Sequence, residues 1–442
     1  NLIAVGLLYR YGYFTQQLSL GGQQLASYNH QNFSQTPIFP VRDAEGNWIT
    51  IEVAFPGRRV QVRLWRVMVG RIPLFLLDTD FEGNSEEDRT ITHYLYGGDQ
   101  ENRFKQEMIL GIGGVRALQA AGCETELYHL NEGHAAFAAL ERLRLLMHEQ
   151  HYNFEEAREL VRASTLFTTH TPVPAGHDTF TEDMVRIYMA HYPARYNISW
   201  ETFIAFGRVD PTNRAERFSM SNLAASFSSG MNGVSKVHGE VSQKMFAGLW
   251  PGYYASENYV GYVTNGVHFP TWTAPVWKAK LCDGGKGTPH WERVKEMPVE
   301  EIWSIRKALK QQLIDHVVSS MSSPEMVRFH PPKHLVDNQE KLKPEVLTIG
   351  FARRFATYKR AHLLLSDLDR LAEIVNNPRR PVQLLFAGKA HPHDIAGQDL
   401  IKRIFNVSLM PQFRGKLIFL PNYDMDLARR MVQGVDVWLN TP

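Results

Sequence analysis

A strand-like apolar run at residues 346–352 leads directly into four basic residues, Arg353, Arg354, Lys359 and Arg360. A helical pattern follows from residue 361, so the sequence predicts fixed positive charges at a helix N-terminus, just past the carboxyl end of a strand. A helix N-terminus carries partial positive charge, and cations there are unfavourable unless an anion lies between them. Such strand ends are also where open α/β sheets bind phosphate. We therefore expect a site for one or more phosphate groups.

Apolar strand-like runs alternate with helical stretches over most of the chain, which predicts an α/β fold with largely parallel sheets. Residues 49–53 and 60–65 differ, because apolar and polar side chains alternate there around Pro56 and Gly57. That pattern predicts a hairpin with one solvated face. Residues 222–233 are expected to be helical or tightly turned.

Proline and glycine become frequent over residues 265–295, and we place a domain boundary there, between domains at 1–265 and 266–442. The second domain is expected to be Rossmann-like. Its predicted elements are strands at 346–352, 382–387 and 417–420, helices at 361–376 and 424–433, and a polar surface loop at 323–345.

Composition excludes several classes of protein. The 442 residues carry a net charge of +2, which gives no electrostatic reason to expect nucleic acid or an anionic membrane as a partner. Only two cysteines are present, so we expect no disulfide framework and a reducing, cytoplasmic compartment. No apolar run is long enough to span a membrane. Strand-like patterns begin and end the sequence, and we expect a fragment truncated at both ends.

Polar residues directly follow several of the expected strands, and the carboxyl ends of parallel strands meet at one edge of a sheet. They include Glu132 and His134, His170, Asn265, Lys389 and Tyr423. Each residue alone is as readily explained by a helix cap or a turn. Together they favour a shared cleft.

Two groups of residues invite a metal interpretation. His391, His393 and Asp394 form one, and His170, His177 and Asp178 form the other. We expect no metal at either, since no further ligand follows at the right spacing and prolines stiffen the second segment. The basic cluster also has a plain alternative, a solvated charged surface.

Seven segments, in their order along the chain, resemble the α-glucan (glycogen, starch or maltodextrin) phosphorylases, most closely the short bacterial and archaeal branch. These segments are residues 132–134, 169–171, 232–234, 264–266, 353–360, 388–389 and 422–423. The resemblance implies a glycosyltransferase B-type fold, in which two Rossmann-like domains face a central cleft. It also implies transfer of an α-1,4-linked glucosyl unit from a glucan to inorganic phosphate, giving glucose 1-phosphate with retention. The implied cofactor is pyridoxal phosphate, used through its phosphate group.

The resemblance also implies roles for individual residues. His170 would contact the transferred sugar, and Arg354 and Lys359 would grip the substrate phosphate. Asn265 would bind a sugar hydroxyl, with Glu132 and His134 as further substrate-binding residues. The residues expected around the cofactor are Arg353, Tyr423 and Trp272.

Two departures from the family pattern affect these expectations. The lysine that forms the cofactor Schiff base is expected beyond Pro442, so we predict that the chain alone is inactive. Asp424 stands where better-known members carry a basic residue.

Two rival functions stay open at this point. A sugar-nucleotide-dependent glucan synthase of the same fold also needs an arginine and a lysine, for a diphosphate. A non-catalytic glucan-binding protein would keep aromatic platforms such as Trp272 or Tyr262 but would tolerate loss of the cations. The sequence does not determine the oligomeric state, and a homo-oligomer is one assembly that it allows.

Overall fold

The computed structural model describes residues 2–95, 97–173, 176–323, 327 and 332–441. The chain forms two compact units. Unit 1 comprises Asn1–Tyr13 and His30–Gly266, and unit 2 comprises Phe14–Asn29 and Val267–Pro442. The excursion of residues 14–29 into unit 2 was not foreseen from the sequence. The assignment of sugar-side and cofactor-side domains stays a prediction.

The strands in the described residues are β1 Ala4–Leu7, β2 Thr15–Leu18, β3 Gln24–Ser27, β4 Phe39–Pro40, β5 Thr50–Phe55, β6 Arg58–Val69, β7 Ile72–Asp78, β8 Tyr128–Asn131, β9 Thr165–Thr168, β10 Thr179–Phe180, β11 Phe218–Ser219, β12 Gly230–Gly233, β13 Val260–Tyr262, β14 Leu347–Ala352, β15 Val382–Ala387, β16 Leu417–Leu420 and β17 Val437–Trp438.

The α-helices in the described residues are α1 Glu86–Arg89, α2 Gln100–Met108, α3 Gly114–Ala120, α4 Ala138–Glu149, α5 Phe154–Ala163, α6 Glu182–Met189, α7 Tyr192–Tyr196, α8 Trp200–Ala205, α9 Met220–Ser226, α10 Lys236–Met245, α11 Phe269–Trp272, α12 Pro275–Leu281, α13 Glu292–Glu296, α14 Val299–Ser320, α15 Pro332–Lys341, α16 Leu368–Val375, α17 Ile395–Leu409 and α18 Met425–Gly434. None of these described helices has both the length and the apolarity needed to cross a bilayer.

Unit 1 contains two main sheets. The first is mixed: β1 pairs parallel with β7, whereas β7, β5 and β4 pair antiparallel with β6. It includes the hairpin predicted around Pro56 and Gly57, which the structure confirms. The second sheet has the order β13-β12-β9-β8 and is parallel throughout. Its strands all end on one edge, where Glu132, His170 and Asn265 follow.

A π-helical turn, Ile109–Gly113, joins α2 to α3 and carries the glycine run seen in the sequence. The run permits close packing: a Cβ on Gly111 would lie 2.7 Å from the main-chain nitrogen of Ala138, at the start of α4. Glycine is therefore needed here because the start of α4 packs closely against this turn.

Unit 2 is built on a parallel sheet with the order β16-β15-β14-β17. Every residue of β15 is buried, as expected for a central parallel strand covered on both faces. Leu384 and Phe386 pack into the hydrophobic cluster on one face, while Leu385 and Ala387 pack into the cluster on the other. The sheet thus fixes the positions of the loops that follow β14, β15 and β16.

Three local predictions were wrong. Residues 361–376 do not form one helix: a 3₁₀ turn, Ala361–Leu365, precedes α16, whose N-cap is Asp367. Acidic residues therefore occupy the true helix start, and the basic cluster lies on the preceding turns. The expected loop at 323–345 contains α15; residues 324–326 and 328–331 lie outside the described residues. Residues 222–226 are helical as predicted, within α9, but residues 230–233 form β12, whose terminal glycines hide its strand character.

Candidate functional site

In unit 1, Glu132 ties together the loops that follow β8 and β9. Its carboxylate Oε1 accepts hydrogen bonds from the main-chain N–H of His170 (2.5 Å) and from Thr171 Oγ1 (3.0 Å). Glu132 has a φ of +65°, a strained value for a residue with a side chain. The structure therefore brings Glu132 and His170 into direct contact, and it gives Glu132 the task of orienting the His170 main chain.

His170 and Asn265 follow different strands of the same parallel sheet. The His170 side chain is exposed, and the Asn265 main-chain N–H donates to Val234 O (3.0 Å) in the loop after β12. Strand β12 lies between β9 and β13. The two residues thus follow the carboxyl ends of two strands of one parallel sheet, with β12 between those strands.

His134 lies in a cluster of partly buried charged groups around the buried Glu107, which sequence reasoning did not recognise. Its Nδ1 is 2.9 Å from Asp178 Oδ2, 3.5 Å from Glu107 Oε1 and 2.7 Å from Arg103 Nη2. Arg103 Nη2 also donates to Asp178 (2.9 Å), and its Nε is 3.2 Å from Glu107. Lys105 and Glu107 lie on the same turn of α2, so spacing in the sequence alone does not single out Glu107.

Burial and charged neighbours act in opposite directions on the protonation of this cluster, and burial prevails only at Glu107. It raises the pKa of Glu107 to about 8, with the neighbouring Asp178 carboxylate adding to the rise. His134 is also largely buried, which opposes its charge, but the two carboxyl groups outweigh this and raise its pKa to about 9. Hydrogen bonds and nearby positive charges hold the pKa of Asp178 well below its usual range, despite burial. At neutral pH the cluster thus combines charged His134, Arg103 and Asp178 with a neutral Glu107.

Glu107, His134 and Asp178 have ligand atoms within 4.8 Å of one another, the spacing of a metal site. Arg103 already places its guanidinium against all three of these residues, so the local negative charge has a cation. This group shares only Asp178 with the sets considered from the sequence. In the other set, Asp394 caps α17 by accepting from Gly397 N (2.9 Å). Asp178 and Asp394 therefore both have structural roles, Asp178 in a charged cluster and Asp394 as a helix cap.

In unit 2, the basic cluster follows β14. Among the residues that the structure describes, Arg353, Arg354 and Arg360 have no carboxylate partner, and Lys359 Nζ lies 4.6 Å from the ring centre of Tyr358. Burial, and then the positive charge of Arg354, lower the pKa of His391. Uncompensated guanidinium groups at the carboxyl end of a parallel sheet form a site suited to an anion.

Gly388 fixes the loop beside this cluster. Its φ is +144°, and a Cβ there would lie 2.0 Å from Arg353 O. The Phe355 N–H donates to Lys389 O (2.9 Å), which continues the pairing past the ends of β14 and β15. Glycine is therefore required at 388 because the main chain of Arg353 passes against it.

Two buried glutamines hold the hairpin β2–β3 onto these loops. Gln16 Nε2 donates to Gly388 O (3.0 Å), and Gln16 Oε1 accepts from Asn422 N (2.9 Å). Gln24 bonds both main-chain groups of Ala390, at 3.0 Å each. Sequence reasoning missed this arrangement, since glutamine in a short amphipathic strand usually faces solvent. The burial of both side chains shows that they fix the loops after β15 and β16.

The remaining predicted residues of unit 2 are divided between the two ends of α18. Tyr423 is half-buried just before the helix, and burial raises the pKa of its hydroxyl. Asp424, the departure noted in the sequence, caps the helix by accepting from Leu427 N (2.8 Å). Trp272 O accepts from Gln433 (2.9 Å) near the other end, about 15 Å along the helix. The structure therefore does not bring the main chain of Trp272 close to Tyr423.

Lys389 lies under the hairpin. Its Nζ donates to Phe14 O (2.8 Å), and burial lowers its pKa while Asp424 acts in the opposite direction. The lysine thus lies near the loops that carry Tyr423 and the basic cluster.

Comparison with known proteins agrees with the order of motifs. The sequence profile of the carbohydrate phosphorylase family matches residues 119–439, which is more than half of the chain. The chain is 42% identical to the maltodextrin phosphorylase of Thermococcus litoralis, over 100% of this chain and 52% of that protein. It is 40% identical to the glycogen phosphorylase of Mycobacterium tuberculosis, over 100% of this chain and 53% of that protein.

The glycogen phosphorylase of Aquifex aeolicus is 36% identical over the full chain and 64% of its own length. The chain thus spans from about half to just under two thirds of the length of these relatives. A profile match of this extent, with relatives above 35% identity along the whole chain, establishes the relationship: the chain belongs to the carbohydrate phosphorylase family.

Proposed function

We propose that the protein to which this sequence belongs is an α-glucan phosphorylase. It transfers a terminal α-1,4-linked glucosyl unit to inorganic phosphate and releases glucose 1-phosphate with retention. The observation that carries the proposal is the basic cluster, in which Arg353 and Arg354 have no acidic partner among the described residues. A glycosyltransferase B-type arrangement of two Rossmann-like domains around a cleft is part of the same proposal.

The residues of unit 2 supply the phosphate side of the reaction. Arg354 and Lys359 bind the substrate phosphate, the former through directional guanidinium hydrogen bonds and the latter as a point charge. Binding of a phosphate also relieves the repulsion among the cations. Gly388 and the glutamine-held hairpin keep the loop of Arg353 in place, so the site is organised before the anion arrives.

The residues of unit 1 supply the sugar side. The Glu132 carboxylate fixes the main chain of His170, whose carbonyl we place near the anomeric carbon, where positive charge develops. Asn265 orients a sugar hydroxyl. His134, held charged between Asp178 and Glu107, donates a hydrogen bond to the substrate from its second ring nitrogen.

The proposed cofactor is pyridoxal phosphate, and the unpaired charge of Arg353 fits its phosphate group. When bound, the cofactor would supply general acid–base chemistry through its phosphate group, beside the substrate phosphate held by Arg354 and Lys359. Tyr423 and Trp272 are the aromatic residues assigned to its surroundings, with the position of Trp272 the less supported of the two.

The test is binding of inorganic phosphate and glucose 1-phosphate by calorimetry. We expect Arg354→Gln and Lys359→Gln each to weaken phosphate binding by about tenfold or more, since a charge-assisted contact contributes roughly 1.5–3 kcal/mol. Arg370→Gln is the matched control, because Arg370 is an exposed arginine on α16 of the same unit. Tight binding of a uridine or adenosine diphosphate sugar, with no binding of phosphate, would instead favour the glucan synthase.

A further inference from the structure

His177, one of the residues weighed as a metal ligand from the sequence, has a protein partner at each ring nitrogen. Its ring is half-buried in unit 1. Nε2 lies 3.3 Å from Thr171 O, and Nδ1 lies 2.6 Å from Ser221 Oγ. The Phe246 ring meets the imidazole edge to face, with centroids 5.8 Å apart. His177 therefore reaches back to the main chain directly after His170.

The two contacts fix the tautomer of His177. A carbonyl oxygen can only accept, so Nε2 carries the hydrogen and donates it to Thr171 O. Nδ1 of the neutral ring is then an acceptor, and the Ser221 hydroxyl donates to it. Ser221 is only 2% exposed, so its hydroxyl needs this partner. The neutral imidazole thus satisfies both groups without placing a charge there.

Secondary structure on both sides places the His177 ring. Strand β10 begins two residues later, at Thr179, and pairs with β11, which leads into α9. Asp178 O accepts from Met220 N (3.1 Å), so the main chain beside His177 is tied to the start of α9. Ser221 lies in the first turn of the same helix. The Nε2–H group is therefore aimed from a fixed base.

Side chains from two different loops hold the same short segment of main chain, His170 and Thr171. Glu132 accepts from the main-chain N–H of His170 and from the Thr171 hydroxyl. His177 donates to the Thr171 carbonyl on the other side. Gly176 closes the contact, since a Cβ there would lie 2.3 Å from Thr171 Cγ2. The peptide group that carries the His170 carbonyl is thus held at the residue before it and at the residue after it.

We propose that His177 is a positioning residue for the sugar side of the reaction: its Nε2–H holds Thr171 O and so sets the direction of the adjacent His170 carbonyl. This inference rests on the proposed function, in which that carbonyl lies near the anomeric carbon. A carbonyl dipole aimed at developing positive charge acts in the transition state more than in the ground state. Loss of the hold on Thr171 O should therefore lower kcat, while KM for phosphate, which is assigned to unit 2, stays the same.

The test uses the whole protein to which this sequence belongs. Phosphorolysis of maltoheptaose is the activity, and hydrogen exchange followed by mass spectrometry is the structural readout. His177→Phe keeps an aromatic ring against Phe246 and removes both ring nitrogens. We expect kcat to fall about 10- to 100-fold, as for a small misplacement of a catalytic group, with KM for phosphate within about twofold. Amides of residues 169–173 should exchange about tenfold faster, because a hydrogen bond that holds them is lost.

Two further variants separate the hydrogen bond from the bulk of the ring. His177→Gln places an amide N–H close to the position of Nε2, so it should restore kcat to within about threefold of the wild type. Ser221→Ala removes the partner of Nδ1 without adding bulk, and it should lower kcat and speed exchange in the same direction. His148→Phe is the matched control, since His148 is exposed on α4 of the same unit, and it should change neither readout.

Unchanged kcat in His177→Phe would overturn the inference, as would exchange at residues 169–173 equal to that of the wild type. If His177→Phe does not fold, unchanged values in Ser221→Ala would overturn it instead. Equal losses in His177→Phe and His177→Gln would also overturn it, because the ring and not its hydrogen bond would then matter. Absence of glucose 1-phosphate in the wild type would refute the proposed function and this inference with it, whereas an active wild type with unaffected variants would refute this inference alone.

Discussion

The substitution Gln16→Leu tests whether buried glutamine hydrogen bonds hold the loops around the basic cluster. Gln16 is 1% exposed, and leucine fills a similar volume. The change removes three hydrogen bonds, to Gly388 O (3.0 Å), to Gln24 Oε1 (2.7 Å) and from Asn422 N (2.9 Å). Gln24 Oε1 still accepts from Ala390 N, so two main-chain groups lose their partners.

The expected magnitude follows from these two groups. A buried polar group left unpaired costs about 1–3 kcal/mol. Gly388 is buried and Asn422 half-buried, so we expect the hairpin β2–β3 to lose about 3 kcal/mol of its free energy of opening. Since 1.36 kcal/mol is a factor of ten, amide hydrogens of β2 and β3 should exchange about 150-fold faster.

Hydrogen exchange measured residue by residue is the assay, and Gln23→Leu is the control. Gln23 lies on the same hairpin but is exposed, and its side chain makes one long contact, 3.5 Å, to Gln398. The control should exchange within about threefold of the wild type. Exchange in Gln16→Leu within threefold of the wild type would refute the view that this glutamine holds the hairpin.

Three other predictions address the loops and the buried charges. Gly388→Ala should reduce the free energy of unfolding of unit 2 by about 3 kcal/mol or more, because the new Cβ would lie 2.0 Å from Arg353 O. Calorimetry should show a lower melting temperature, and an unchanged one would contradict the geometry. Arg103→Met should destabilise unit 1 by about 1–3 kcal/mol, since the partly buried Asp178 loses one of its two charged partners and keeps only His134. An unchanged urea unfolding curve would be inconsistent with this. In the wild type, the pKa of Glu107 is about 8 in the folded state and 4.5 ordinarily, so between these pH values the native state holds a proton that the unfolded state has lost. Wild-type stability should therefore decline as the pH rises from 4.5 to 8. Glu107→Gln removes this titration and should make stability depend less on pH over that range. Equal slopes in the two proteins over that range would show that Glu107 does not titrate as proposed.

Much of the fold could be predicted from local patterns. Residues 382–387 and 417–420 are short apolar runs, and the structure confirms both as strands at the positions expected. The hairpin around Gly57 was also predictable, because its alternation and turn residues agree. In these elements the local sequence and the tertiary environment favour the same secondary structure, so the local pattern is sufficient to predict it.

The wrong secondary-structure predictions arise where tertiary contacts override the preference of the local sequence. Strand β12 reads Gly-Met-Asn-Gly, a poor strand sequence, but a Cβ on Gly233 would collide with the main chain of Gly239. The close approach of α10 thus requires glycine where propensity would favour a β-branched residue. The helix predicted from residue 361 was wrong because its apolar pattern runs through a 3₁₀ turn that ends at Leu365, before the acidic cap Asp367 of α16.

At the candidate site, too, some features could be predicted from the sequence and others could not. The basic cluster was predictable from charges placed after a strand, and the structure supplies its lack of acidic partners among the described residues. The role of Glu107 could not be predicted, since it depends on His134 and Asp178, which are distant from it in the sequence. The glutamine contacts of Gln16 and Gln24 were equally hidden, because they depend on residues 14–29 belonging to unit 2.

The central claim is phosphorolysis, and ³¹P NMR tests it most directly. The whole protein to which this sequence belongs is incubated with maltodextrin, inorganic phosphate and pyridoxal phosphate, and the sugar phosphate that forms is identified by its anomeric configuration. The account predicts that α-glucose 1-phosphate forms at the expense of inorganic phosphate and that Arg354→Gln lowers its rate while Arg370→Gln does not. Glucan extension from a nucleotide sugar, with inorganic phosphate unconsumed, would contradict it.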